Sequence, residues 1–106
     1  MPWITLLIAA LFEMGWPLGI RLSQVTNFRI PWILAAIVSM ALSVFFLWIA
    51  QKNIPIGTAY AVWTGLGAVG VFVAGIILFD EPADLLRVAS VSLIVIGIVG
   101  LKLAHG

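Results

Sequence analysis

Apolar residues fill four long stretches of the chain, at about residues 3–22, 32–50, 57–79 and 85–103, and polar residues gather in the three short breaks between them. About 20 predominantly apolar residues are enough for a helix to cross a bilayer, so each stretch predicts one membrane-spanning helix. The expected fold is an all-α membrane protein, a single four-helix domain over residues 1–106. The breaks carry matching stop signals. Ser23-Gln24-Val25-Thr26-Asn27-Phe28-Arg29-Ile30-Pro31 reads as a polar connection in water or headgroups. Gln51-Lys52-Asn53 closes the second stretch before Ile54-Pro55-Ile56-Gly57 turns the chain. In Asp80-Glu81-Pro82-Ala83-Asp84 the proline stops the third stretch, and Asp84 is placed to cap the fourth helix.

One residue breaks the pattern. Glu13 lies in the middle of the first stretch, in Ala9-Ala10-Leu11-Phe12-Glu13-Met14-Gly15-Trp16-Pro17, with no other charge between Trp3 and Ile20. A charge at mid-bilayer depth costs roughly 2.5 to 3.5 kcal/mol on insertion scales, and such residues face interior cavities and mark ion or substrate paths. Arg21, the nearest cation on the same helix, is eight residues on. That is about 12 Å along the axis at 1.5 Å per residue, too far for a direct pair. Glu13 is therefore neutralised by a proton, hydrated in a cavity, or matched by a cation that comes and goes. A neutral structural acid, hydrogen-bonded within a bundle, is the competing reading.

Composition sharpens the class. Of the 106 residues, 64% are hydrophobic and 8% charged, where a soluble domain is about 25% charged; the mean hydropathy is +1.27. An ordinary soluble domain is excluded, and a net charge of +1 gives nucleic-acid binding no footing. With no cysteine there is no disulfide, thiol nucleophile or Cys-based metal site. No catalytic triad, metal-ligand set or phosphate loop is visible, so neither an enzyme nor a cofactor is expected. The first stretch is too long, and its acid too central, for a cleavable signal peptide.

The neighbours of Glu13 carry further signals. Trp16 is three residues on and shares its face, which suits either a wall of the acid's cavity or a lipid-facing packing residue. Pro17 has no N–H, so the Glu13 carbonyl, four residues back, loses its helical donor. That carbonyl is either free for water, a hydroxyl or a substrate N–H, or marks a mere kink. The third stretch holds Gly57, Gly65, Gly67, Gly70 and Gly75; some permit close packing, and Gly65-Leu66-Gly67 is a plausible flexing point. Tyr60, Trp63, Thr64 and Gly67 share a face at i, i+3, i+4 and i+7, as a site lining or a core stripe would. Trp3, Trp32 and Trp48 fall near helix ends and read as an interface belt.

Arg21, Arg29 and Arg87 flank the first and third connections, whereas Lys52 and Lys102 flank the second connection and the C-terminal end. Such a near balance fixes no orientation by the positive-inside rule. A chain that inserts both ways allows a homodimer of oppositely oriented copies, with two Glu13 carboxylates near its centre.

Gly57-Thr58-Ala59-Tyr60-Ala61-Val62-Trp63-Thr64-Gly65-Leu66-Gly67, preceded by Ile54-Pro55-Ile56 and placed after the Glu13 helix, resembles the small multidrug resistance family of proton-coupled exporters, over essentially the whole chain. Within it, Phe12-Glu13-Met14-Gly15-Trp16 and Pro55-Ile56-Gly57-Thr58-Ala59-Tyr60 look like the guanidinium-exporter branch, since the quaternary-ammonium branch usually has no tryptophan at the position of Trp16. The resemblance implies four transmembrane helices per chain, a dual-topology antiparallel homodimer, multi-pass placement in the cell inner membrane, and export of guanidinium-type cations against protons. It implies that Glu13 is the shared proton and substrate carboxylate, that Trp16 and Trp63 line and hydrogen-bond it, that Ser43 is a hydroxyl partner and that Tyr60 is a gating aromatic. By itself Ser43 is one polar group in an apolar helix, equally able to bond back to the carbonyl at i−4. In the last helix Ser90 and Gly97 stand seven apart, where the family carries a small-residue dimerisation seam, with serine in place of the more usual glycine.

Ala10 stands where this branch often has glycine, Arg21 where lysine is common, and Pro17 after the tryptophan is a further departure. The expected mechanism is antiport: protons and a small cation compete for two Glu13 carboxylates, and the empty, fully charged pair is disfavoured by repulsion. Identical halves in opposite orientation expose the site alternately by exchanging conformations. Broad quaternary-ammonium export, a non-transporting helical subunit of a larger complex, and obligate pairing with a paralogue are the rival functions.

Overall fold

The computed structural model describes residues 2–105. They form four helices, α1 (Pro2–Val25), α2 (Arg29–Ala50), α3 (Ile56–Phe79) and α4 (Leu85–His105), each long and apolar enough to cross a membrane. The first connection is shorter than its polarity suggests, because its hydroxyls continue the helix instead of leaving it. Ser23 Oγ donates to the Ile20 carbonyl at 2.6 Å, and Thr26 Oγ1 donates to that of Leu22 at 2.6 Å while accepting the Phe28 N–H at 3.3 Å. Only residues 26–28 remain between α1 and α2. Helix α2 starts at Arg29, before the expected Trp32, and Pro31 falls in its first turn, where an N–H has no helical acceptor to lose.

After α2 the backbone N–H groups of Gln51, Lys52, Asn53 and Ile54 turn back to the carbonyls of Leu47, Ile49 and Ala50 at 3.0 to 3.2 Å. This turn brings Ile54 into the core with Leu6, Ala9, Leu47, Ala50, Ala59 and Val62. Helix α3 ends on Asp80, whose φ of 56° is left-handed, a region aspartate tolerates better than most residues. The N–H groups of Asp80 and Glu81 both reach the Gly75 carbonyl, and the bare Cα of Gly75 lets the Glu81 carboxylate lie against it.

At the start of α4, Arg87 Nη1 donates to Asp84 Oδ1 at 2.8 Å. This hydrogen bond is the main reason the Asp84 carboxyl is held below its ordinary value of 3.8, with backbone N–H groups assisting. Because the folded value is lowered, the contribution is present above the ordinary carboxylate range and is lost as the pH falls through the lowered value. Both groups are exposed, so the effect on stability is small. An NMR titration of Asp84 is expected to give a midpoint under 3.8, and Arg87→Gln to bring it back towards that value. A midpoint that Arg87→Gln does not move contradicts the pairing.

Helix α1 is the centre of the chain, packing on α2 and α3, while the backbone of α4 comes close only to α3 and α2 barely meets α3. The α1–α2 seam is close because small residues face one another: Gly15 lies against Ser39, and Gly19 against Ala36 and the Trp32 carbonyl. Small residues let helix backbones approach in lipid, where no hydrophobic force drives helices together. The molecule is a slab of 46 × 35 × 17 Å, thinner than two helices side by side at about 10 to 12 Å each. No described side chain of α4 is buried, and Ile77, Leu85 and Leu86 are largely exposed. These surfaces suit lipid or a second copy, not water.

The two ends of the slab differ in chemistry. At one end Lys102 lies over the Trp3 ring at 4.9 Å and Lys52 over the Trp48 ring at 4.2 Å, cations and aromatics at the depth of the headgroups. At the other Arg21 approaches the Phe79 ring at 6.0 Å, near the acidic α3–α4 turn. These contacts place Lys52 and Lys102 on one side of the slab and Arg21 on the other.

Candidate functional site

Glu13 reaches from α1 across the face of α3 at Gly67. A Cβ on Gly67 would sit 2.8 Å from Glu13 Cγ, so the carboxylate side chain occupies space that any other residue there would take. One turn on, Trp16 Nε1 donates to Glu13 Oε1 at 2.9 Å. Glu13 is half-buried, and the ion pair found among the described residues, Arg87 with Asp84, does not involve it. The carboxylate thus has a neutral donor on one oxygen and an opening beside it: a cleft of about 240 Å³ lined by Glu13, Pro17, Thr64, Gly67, Ala68 and Val71.

A second polar group ties the three inner helices together one turn away. Ser43, fully buried on α2, donates its hydroxyl to the Ala9 carbonyl of α1 at 2.8 Å and accepts the indole N–H of Trp63 on α3 at 2.8 Å. The Tyr60 ring lies 5.5 Å from that of Trp63, centroid to centroid, and remains largely exposed. Ser43 therefore bonds across the bundle rather than back to its own helix. Trp63 differs from expectation: its N–H goes to the buried hydroxyl oxygen that α2 presents at Ser43, not to Glu13. Trp16 alone of the two indoles holds the carboxylate.

The structure brings Glu13, Trp16, Pro17 and Gly67 together, and sets Ser43, Trp63 and Tyr60 as a linked group on the same three helices. Thr64 joins the cleft although it was read only as part of a shared face; its hydroxyl donates to the Tyr60 carbonyl at 2.7 Å. Pro17 and Gly65-Leu66-Gly67 do not interrupt their helices, which run unbroken through them. In this conformation Gly65 instead admits Ile98 of α4, whose Cδ1 would lie 3.0 Å from an added Cβ. Ser90 and Gly97 stay apart from the site. The Ser90 hydroxyl bonds back to the Leu86 carbonyl at 2.8 Å, and a Cβ on Gly97 would meet open space.

A larger groove of about 460 Å³ runs between α3 and α4, lined by Phe72, Val73, Ile76, Val88, Val91, Val95 and their neighbours. Its one hydroxyl, on Ser92, is bonded to the Val88 carbonyl at 2.8 Å. It offers a cation no charge, and suits an acyl chain better; the smaller Glu13 cleft is where the chemistry lies.

Residues 1–94 match the family model described as Small Multidrug Resistance protein. A protein of Yersinia pseudotuberculosis named Guanidinium exporter is 51% identical over 104 residues, covering 98% of this chain and 99% of that one. Proteins of the same name from Escherichia coli and Salmonella typhimurium are 49% and 46% identical over 98% of both chains. A lone carboxylate on the first of four membrane helices, facing a glycine of the third, thus stands in a chain that belongs to the small multidrug resistance family.

Proposed function

We propose that this multi-pass inner-membrane protein is a proton-coupled antiporter that exports guanidinium and small substituted guanidinium cations, working as an antiparallel homodimer. The observation that carries the reading is Glu13 itself, a carboxylate within a membrane span with no basic partner among the described residues, fixed by Trp16 and open to a cleft. Such a group must take up something positive, and a proton and a small organic cation are alternatives for the same oxygens. The name shared by the relatives supplies the cation class.

Guanidinium suits the cleft for a physical reason. It is planar and stays charged, its N–H groups pair in a fork with a carboxylate, and its face stacks on aromatic rings. A tetra-alkyl ammonium has no donor to give. The dimer is supported by shape: a slab with an unburied α4 and a half-buried acid does not enclose its own site. Two copies in opposite orientation close it and put two like charges near each other, so the loaded states are favoured over the empty one.

Purified protein in detergent tests the reading directly. Added guanidinium is expected to release protons from Glu13, and its binding to weaken as the pH falls. No proton release from a protein that remains folded contradicts the antiport reading. Topology is a separate expectation. A reporter fused after Gly106 is expected on both sides of the membrane in comparable amounts, and labelling from one side only contradicts the antiparallel homodimer.

A further inference from the structure

The hydrogen bonds of the site use up the donors of Trp16, Trp63, Ser43 and Thr64. The Trp16 N–H is on Glu13 Oε1, the Trp63 N–H on Ser43, the Ser43 hydroxyl proton on the Ala9 carbonyl and the Thr64 hydroxyl proton on the Tyr60 carbonyl. What these groups leave toward a ligand is lone pairs. A threonine hydroxyl has one proton and two acceptor sites, so Thr64 enters the cleft as an acceptor. Pro17 adds another. It stands inside an unbroken α1, and its missing N–H leaves the Glu13 main-chain carbonyl without the donor that every ordinary residue at this position would supply. Glu13, Pro17 and Thr64 line the same cleft.

We infer that Pro17 and Thr64 give the cleft a second, uncharged acceptor set, the Glu13 carbonyl oxygen and the Thr64 hydroxyl oxygen, which selects cations bearing N–H groups on more than one edge. The inference rests on the guanidinium reading above. The carboxylate satisfies one edge of a guanidinium; its other N–H groups lose water on entering the membrane and need acceptors there. The carboxylate supplies charge and proton coupling, and the added oxygens supply discrimination, because a cation with alkylated nitrogens leaves them unpaired. Proline is the only residue that frees a carbonyl in a continuous helix without adding a polar side chain.

The test compares guanidinium with tetramethylguanidinium, which keeps N–H groups on one nitrogen only, using proton release from the purified protein as the readout. Pro17→Ala restores the helical N–H, and Thr64→Val removes the hydroxyl at nearly constant shape. Each is expected to lower the preference for guanidinium over tetramethylguanidinium about ten- to a hundredfold, the weight of one charge-assisted hydrogen bond, and Thr64→Ser to recover it. Circular dichroism should show unchanged helix content. An unchanged preference in both variants, or an equal loss for both cations, overturns the role of Pro17 and Thr64 while the guanidinium reading stands. Wild-type protein that releases no protons with guanidinium takes down that reading and this inference with it.

Discussion

Replacing Glu13 with glutamine is expected to abolish coupled exchange, to the level of protein-free liposomes, while the protein still folds. The amide keeps the size of the carboxyl and an oxygen to accept the Trp16 N–H, which lies 2.9 Å from Glu13 Oε1. A neutral amide is also easier to hold in a membrane than a charge, by roughly 2 to 3 kcal/mol on insertion scales. What is lost is the one group in the cleft that can carry a proton or neutralise a cation. Exchange and helix content are the paired measurements. Continued accumulation of substrate against a proton gradient by Glu13→Gln removes the carboxylate from the mechanism.

Gly67→Val is expected to be the next most damaging change. An added Cβ falls 2.8 Å from Glu13 Cγ, closer than carbon atoms pack at about 3.5 to 4.0 Å, and Cγ can escape only by a change of χ1 that carries the whole side chain with it. The Glu13 side chain must leave its place beside α3, and the bond from Trp16 must break or follow it. Losing one aligned charge-assisted bond to the substrate is worth about 1.5 to 3 kcal/mol, roughly ten- to a hundredfold in affinity. Gly97→Val is the internal control, since a Cβ there meets nothing within the chain; in a monomeric detergent preparation it is expected to leave the helices intact. Guanidinium binding by Gly67→Val at wild-type strength contradicts the placement of Glu13 against α3.

The four spans and Glu13 were legible in the sequence because both depend on contrast along the chain alone, long apolar runs and one acid inside one of them. Boundaries were less so. Ser23 and Thr26 looked like loop residues, yet their hydroxyls bond to helical carbonyls and prolong α1. Pairing between helices was harder, since periodicity tells which residues share a face and not which helix that face meets. The family resemblance points Trp63 at Glu13, whereas its N–H goes to Ser43 of α2. Gly15, Gly19 and Ser23 recur at every fourth position, a small-residue stripe readable in the sequence. The structure shows Gly15 and Gly19 in the α1–α2 seam. Thr64 could have been found from its place between Tyr60 and Gly67 on one face, but only the position of α1 makes it a lining of the Glu13 cleft.

Exchange in liposomes containing only this protein tests the central claim most directly. Vesicles loaded with labelled guanidinium are placed under an opposing proton gradient, and unlabelled guanidinium or tetramethylammonium is offered as competitor. Guanidinium is expected to move against protons with no other protein present, and tetramethylammonium to compete poorly, because it leaves buried acceptors unpaired at about 1 to 3 kcal/mol each. Absence of exchange, or tetramethylammonium outcompeting guanidinium, contradicts the account.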